Sequence, residues 1–267
     1  MSDPQNTGQG GQDWAIRFTE TFAAPASAVQ ARIWSEVFGD EYPATLDIYS
    51  FTSVSELNRF VKELRLSPDD LLVDVGCGRG GPGLWVATQA GARLIGIDIA
   101  ETALGAARDR ARALEVADQA EFQLGSFQDT GLSAASVNAV MSVDALLFAP
   151  DKYAAIRELA RILVPGGRLV VTTWDYSRQP LGRPPQVPDH RPILEHAGFE
   201  VLSYNKTSSW LQRQTRIGEL LLLAIDDLAA ETGSDPAKIQ SGLEEMHATL
   251  DCMIRRVFMV AERRKSA

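Results

Sequence analysis

The chemistry of this chain concentrates in one short run, Asp74-Val-Gly76-Cys-Gly78-Arg-Gly80-Gly-Pro82. A five-residue apolar stretch, LLVDV at 71–75, leads directly into it, and Pro82 suits the first turn of a following helix. Glycines at such a strand-to-helix turn admit positive φ and let a ligand approach bare backbone. The spacing G-x-G-x-x-G can be forced onto Gly76, Gly78 and Gly81, a pattern that alone is weak evidence for a dinucleotide site. Asp74 ahead of the turn and the tight packing of GCGRGG speak against that reading. Further carboxylates fall at the ends of later apolar runs. Asp98 closes LIGID (94–98), Asp144 follows VNAVMSV (137–143) and Asp175 follows RLVVTTW (168–174). A carboxylate in such a place accepts hydrogen bonds or moves a proton. Of the three histidines, His190 sits in the Pro-rich loop RPPQVPDH, His196 in LEHAGFEV, and His247 beside an apolar helical stripe.

The elements that must position these groups follow from periodicity. Short apolar runs at 71–75, 94–98, 120–124, 137–143 and 168–174 alternate with helix-like segments at 82–90, 101–117 and 151–163. That alternation predicts an α/β fold with a parallel sheet wound on both faces. FEVLSYN (199–205) and VFMVAER (257–263) read as a sixth and a seventh strand. Between them, two helices are expected at about 209–231 and 236–250, the second opening at Asp235-Pro236 and striped by Ile239, Leu243, Met246 and Leu250. Ahead of the sheet, Val29, Ile33 and Val37 mark one helix, and Ser53-Val-Ser-Glu56 has capping-box spacing before another. The expected organisation is a polar Gly/Gln-rich tail at 1–13, an N-terminal helical cap at 14–66, and a domain at 67–267 with a helical insertion at 207–252.

Taken together, these motifs resemble the class I S-adenosylmethionine-dependent methyltransferases, particularly those of bacterial secondary metabolism. VDVGCGRGGPG is similar to their first motif, GIDIA (96–100) to the second and GSF (125–127) to the third. MSVDALLF (141–148) and LVPGGRLVVTTW (163–174) are similar to the fourth and fifth strands with their turns. The resemblance implies a Rossmann-like, seven-stranded, mostly parallel sheet with helices on both faces. It also implies S-adenosyl-L-methionine as cofactor. By that resemblance Gly76 and Gly78 pass beneath the methionyl part, Asp74 lies near its ammonium, and Asp98 accepts from both ribose hydroxyls. Ile99 packs on the adenine, Ser126 and Phe127 flank its edge, and Ser142 and Val143 line the cofactor from the fourth strand. Many relatives carry an acid where Ser126 stands, so adenine recognition here is expected to rest on backbone and Phe127. Tyr49, with Ser50 and Phe51, falls in the loop that closes over the cofactor in relatives. Cys77 is expected to supply backbone only.

The activity so implied is methyl transfer to a small, natural-product-like acceptor, in which the protein chiefly aligns nucleophile, methyl and sulfur and excludes water. Asp144 and His247 are the candidates to orient the acceptor or act as base. Asp144 with Asp175 resembles the metal carboxylates of catechol-type methyltransferases, but no third ligand accompanies them and no metal is expected. The alternative is the same fold reused as a cyclase or pericyclase. A nucleic-acid substrate is disfavoured: no Asp/Asn-Pro-Pro-aromatic motif follows the fourth strand, and Lys+Arg at 26 against Asp+Glu at 35 gives a net charge of −9. A nicotinamide-dependent dehydrogenase ranks below that. No apolar run approaches the ~20 residues of a membrane span, no leader is visible, and two cysteines, Cys77 and Cys252, suggest a reducing cytoplasm.

Overall fold

The computed structural model describes residues 9–265. Helix α1 spans Gln9–Ala23, so residues 9–13, read as tail, form its first turn, while residues 1–8 lie outside the described residues. Ala24-Pro25-Ala26-Ser27 then breaks the chain before α2 (Ala28–Phe38), where the Ser27 hydroxyl accepts from Gln30 N at 3.0 Å. A 3-10 turn and an irregular segment lead to α3 (Val54–Leu64). Ser53 caps it by accepting from Glu56 N at 3.3 Å, as the capping-box spacing predicts.

The sheet domain follows as β1 (Leu71–Val75), α4 (Gly81–Ala90), β2 (Arg93–Asp98), α5 (Glu101–Ala113), β3 (Ala120–Leu124) and β4 (Val137–Val143). It continues with α6 (Lys152–Ile162), β5 (Leu163–Tyr176), α7 (Arg191–His196) and β6 (Phe199–Lys206). The insertion expected as two helices contains three: α8 (Trp210–Leu223), α9 (Ile225–Thr232) and α10 (Pro236–Leu250). A kink at Ala224 separates the first two; beyond it, acidic Asp226 and Asp227 fall in the first turn of a new helix, where they complement its dipole. Strand β7 (Met253–Arg263) closes the chain.

Strand order is β3-β2-β1-β4-β5-β7-β6, with β7 antiparallel between β5 and β6 and the rest parallel. The fold is therefore the seven-stranded, mostly parallel, Rossmann-like sheet expected. The chain reverses its winding direction between β1 and β4, so the carboxyl ends of β1, β2 and β4 open onto one crevice. Both sheet faces are buried. Val140, Ile156, Leu159 and Phe199 form the core beneath α6 and α7, and Leu57, Phe60, Leu104 and Phe258 the core beneath α3 to α5. Helices α2, α8, α9 and α10 assemble around a separate apolar cluster that includes Ile33, Phe38, Ile217, Leu221, Leu228 and Leu243. This second core makes the cap a packed body rather than loose helices.

Candidate active site

Two adjoining cavities open at the carboxyl edge of the sheet. The first, of about 380 Å³, lies over the β1–α4 turn. Gly76 and Gly78 both have positive φ there (74° and 53°), which lets the turn fold back on itself. A Cβ on Gly76 would stand 2.4 Å from the Ala145 Cβ, so the turn and the end of β4 meet at a distance only glycine allows. Gly76 N and Cys77 N both donate to the carbonyl of Ile97, at 2.8 and 3.1 Å, pinning the turn against β2.

Asp98 ends β2 at the cavity wall, 7 % exposed. Its Oδ2 accepts from Gly78 N at 2.8 Å and its Oδ1 from Ala100 N at 3.0 Å. Burial raises its pKa, while these backbone donors oppose the rise. A carboxylate has about four acceptor sites, so roughly two remain for a ligand. Asp74 is 1 % exposed, and its Oδ1 has no hydrogen-bond partner. Burial, with the nearby charge of Asp98, pushes its pKa up to about 7, against a bond from Gly83 N. A buried carboxylate so placed gains most from a cationic partner. Burial also pushes the Cys77 thiol well above its usual range, which keeps it protonated and unreactive.

Most of the residues expected at the cofactor line this cavity: Asp74, Gly76, Gly78, Asp98, Ile99, Ser126, Phe127, Val143 and Tyr49. Ser142 does not. Successive strand residues point to opposite faces, so the side chain beside Val143 turns into the sheet core, where Ser142 is fully buried. Ser126 is present but engaged within its own loop, its hydroxyl accepting from Gln128 N and Asp129 N at 3.3 and 3.1 Å. Gln128, not anticipated, completes that wall. The roof was also not anticipated. Trp14, Phe18 and Phe22 of α1 line the cavity at i, i+4, i+8, with Phe148 beneath them, 4.7 Å from Trp14 and 4.8 Å from Phe18 between ring centroids. The spacing was legible; its target was not.

The second cavity, about 560 Å³, lies between α1 and the cap. Trp34, Tyr42, Phe51, Leu147 and Trp174 wall it with Leu221, Leu228, Leu243 and Met246 from the cap. His247 is half-buried on this wall. Trp14, Phe18, Asp47, Tyr49, Asp144 and Phe148 belong to both cavities, which are thus contiguous.

Asp144 sits at that junction but is already engaged. Arg256 meets it in a fork, Nε to Oδ1 at 3.0 Å and Nη2 to Oδ2 at 3.1 Å, and Phe51 N donates to Oδ2 at 2.9 Å. Arg256 is fully buried and also donates to Glu56 at 2.6 Å and Thr207 at 3.1 Å. Burial alone would lower the guanidinium pKa; the carboxylates of Asp144 and Glu56 raise it instead. Asp144, at φ 55°, therefore anchors the 47–53 segment to the sheet. Both of its oxygens are thus engaged by the buried guanidinium. The partner lies 112 residues away in sequence, beyond any local signal.

Asp175 and His190 lie outside both cavities. Asp175, fully buried, accepts from Tyr204 at 2.7 Å and Arg255 at 2.6 Å and pairs with His190 Nδ1 at 2.8 Å. The Pro-rich loop is thereby anchored to the sheet through His190. Asp144 and Asp175 do not converge, and no three potential metal-ligating acids, thiols or imidazoles cluster among the described residues. His196 lies at the surface, and Trp210 is core.

Residues 73–171 match the family described as "Methyltransferase domain". The chain is 32% identical over 155 residues to the 27-O-demethylrifamycin SV methyltransferase of Amycolatopsis mediterranei, covering 57% of this chain and 56% of the relative. It is 30% identical over 129 residues to Methyltransferase GfsG of Streptomyces halstedii, covering 48% and 46%. Likewise, it is 28% identical over 180 residues to the chloroplastic tocopherol O-methyltransferase of Arabidopsis thaliana, covering 61% and 52%. The chain spans about half the length of the curated relatives it matches. Among solved structures, the fold is similar to the [4+2]-cyclase SpnF (TM-score 0.71, 21% identity, 93% and 95% of the two chains). It is also similar to geranyl diphosphate C-methyltransferase from Streptomyces coelicolor A3(2) (TM-score 0.66, 18% identity, 98% and 100%). The matched stretch, residues 73–171, is the one that carries Asp74, the glycine turn, Asp98, Phe127 and Asp144.

Proposed function

We propose that this chain is an S-adenosylmethionine-dependent methyltransferase acting on a small natural-product-like acceptor, with the cofactor in the 380 Å³ cavity and the acceptor in the 560 Å³ one. The observation that carries the reading is the pairing of Asp98, with two acceptor sites left, and Asp74, with an unpartnered oxygen, on one wall of a cavity that opens into a second. A ribose diol suits the first carboxylate and an ammonium the second. The cofactor supplies an activated methyl on a sulfonium, whose departure leaves a neutral thioether. The chain's own task is then alignment and water exclusion. The α1 aromatics and Phe148 cover the junction, while Asp144 and Arg256 hold the Tyr49 segment against it. A base is required only where the accepting atom must shed a proton as it attacks, as a hydroxyl or an acidic C–H does. Soluble, cytoplasmic action within secondary metabolism fits the reading: both cysteines are free thiols, and no helix among the described residues is long and apolar enough to cross a membrane. The net charge of −9 and the largely apolar acceptor cavity favour a small molecule over a nucleic acid.

Incubation with methyl-labelled cofactor and a panel of apolar acceptors tests this. A product heavier by one CH₂ unit supports methyl transfer; cofactor binding without transfer to any acceptor counts against it. A second reading, cyclase or pericyclase chemistry in the same cavity, is favoured by the commitment of Asp144 to Arg256 and by likeness in fold to a [4+2]-cyclase. An isomeric product of unchanged mass decides for it.

A further inference from the structure

Resting on the placement of the acceptor in the second cavity, we infer that the acceptor is an apolar scaffold recognised through hydrogen-bond-accepting oxygens, such as carbonyls or carboxylates, and not through an ammonium group. The inference follows from the charges and donors of the wall.

Both carboxylates on that wall are already satisfied. Asp144 is held by the Arg256 fork and Phe51 N. Asp47 pairs with Arg79 at 3.3 Å and with Arg110 at 3.5 Å. A cationic acceptor entering an apolar cavity needs an unpaired anion or loses its hydration uncompensated, and neither acid is free to supply one. The cations on the wall outnumber these acids: Arg17, Arg79, Arg183 and Lys238. Arg17 and Arg183 share a single carboxylate, Glu245, at 3.4 and 3.5 Å. Arg183 also lies over the rings of Trp14 (5.0 Å) and Phe148 (5.5 Å), which fixes its guanidinium among the aromatics.

The unpartnered polar atoms of wall residues point the same way. Trp174 is 3 % exposed and its indole nitrogen has no protein partner; Gln214 is 5 % exposed and its amide nitrogen has none; Arg183 Nε has none. Indole and guanidinium nitrogens are donors only. A buried donor left unpaired is costly, so a ligand oxygen that reaches one gains correspondingly. Aromatic and leucine surface supplies the apolar remainder of the recognition.

The test uses matched twelve-membered rings on the wild-type protein labelled with 15N at tryptophan: cyclododecanone, its methylidene isostere, cyclododecanecarboxylate and cyclododecylamine. Affinities are read from the tryptophan indole resonances. The expected result is binding of the ketone or the carboxylate at least about tenfold tighter than of the isostere or the amine, with the Trp174 indole N–H moving downfield. Preference between ketone and carboxylate tells a neutral from an anionic acceptor. Trp174→Phe, which keeps a ring and removes the donor, is expected to narrow the advantage over the isostere by about three- to tenfold. Amine binding as tight as the ketone's overturns the inference. So does failure of both oxygen probes to bind up to their solubility limit. Calorimetry of S-adenosylhomocysteine in the same samples separates the two readings: cofactor bound with the probe preference absent sinks this inference alone, and cofactor not bound sinks the proposed function while the probe order still stands or falls by itself.

Discussion

Replacing Asp98 by alanine tests the cofactor cavity most directly. The carboxylate holds Gly78 N at 2.8 Å and Ala100 N at 3.0 Å, and keeps about two acceptor sites toward the cavity. Hydrogen bonds to a charged acceptor contribute about 1.5–3 kcal/mol each. With two ribose hydroxyls partly compensated by water in the variant, the expected loss of affinity for S-adenosylhomocysteine is about 2–3 kcal/mol, or roughly 30- to 150-fold. Loss of the two backbone anchors is expected to cost about 1–2 kcal/mol of stability as well, so melting curves must accompany the calorimetry. Asp98→Asn, which retains one acceptor of the same size, should fall between. Because burial raises the Asp98 pKa, wild-type affinity should weaken on acidification at a pH above the usual carboxylate range, as the acceptor pair is lost on protonation. A folded Asp98→Ala protein that binds within threefold of wild type would refute the ribose assignment.

Three further outcomes follow from the same geometry. Asp74, with a folded pKa of about 7 against 3.8 when unfolded, binds more protons in the native state between those values. Stability of the ligand-free protein should therefore fall as pH rises from about 4 to 7, and Asp74→Asn should flatten that slope in denaturant titrations. Asp144→Ala leaves Arg256 buried without its main partner and is expected to lower stability by about 3–5 kcal/mol; an unchanged melting temperature with abolished turnover would instead make Asp144 a base. Gly76→Ala forces a side chain to φ 74° and against Ala145, and is expected to cost about 1–3 kcal/mol by thermal melting, with weakened cofactor binding.

What the sequence disclosed and what it hid divide along local and distant signals. The glycine turn, Asp74, Asp98 and Phe127 were legible because strand-to-helix turns and strand ends have local composition. Ser142 was misplaced because a motif names a stretch whereas the pleat decides which neighbour faces the ligand. The commitment of Asp144 to Arg256 required knowing that β7 returns beside β5, a long-range pairing no spacing encodes. The break at Ala224 escaped because the helical pattern continues across it; only the positions of Asp226 and Asp227 hinted at a restart. The aromatic stripe of α1 has plain helical period, but period alone does not distinguish a core face from a roof.

Helix α1 covers both chambers at once. Trp14 and Phe18 face each of them, and the helix is held by apolar packing of Phe22 on Ala100 and Ala103 and by polar links, among them Thr102 Oγ1 to Thr19 O at 2.9 Å and Arg79 to Ala24 O at 2.5 Å. One door serving two rooms makes their traffic interdependent. A change at Trp14 or Phe18 is therefore expected to be felt in both chambers at once.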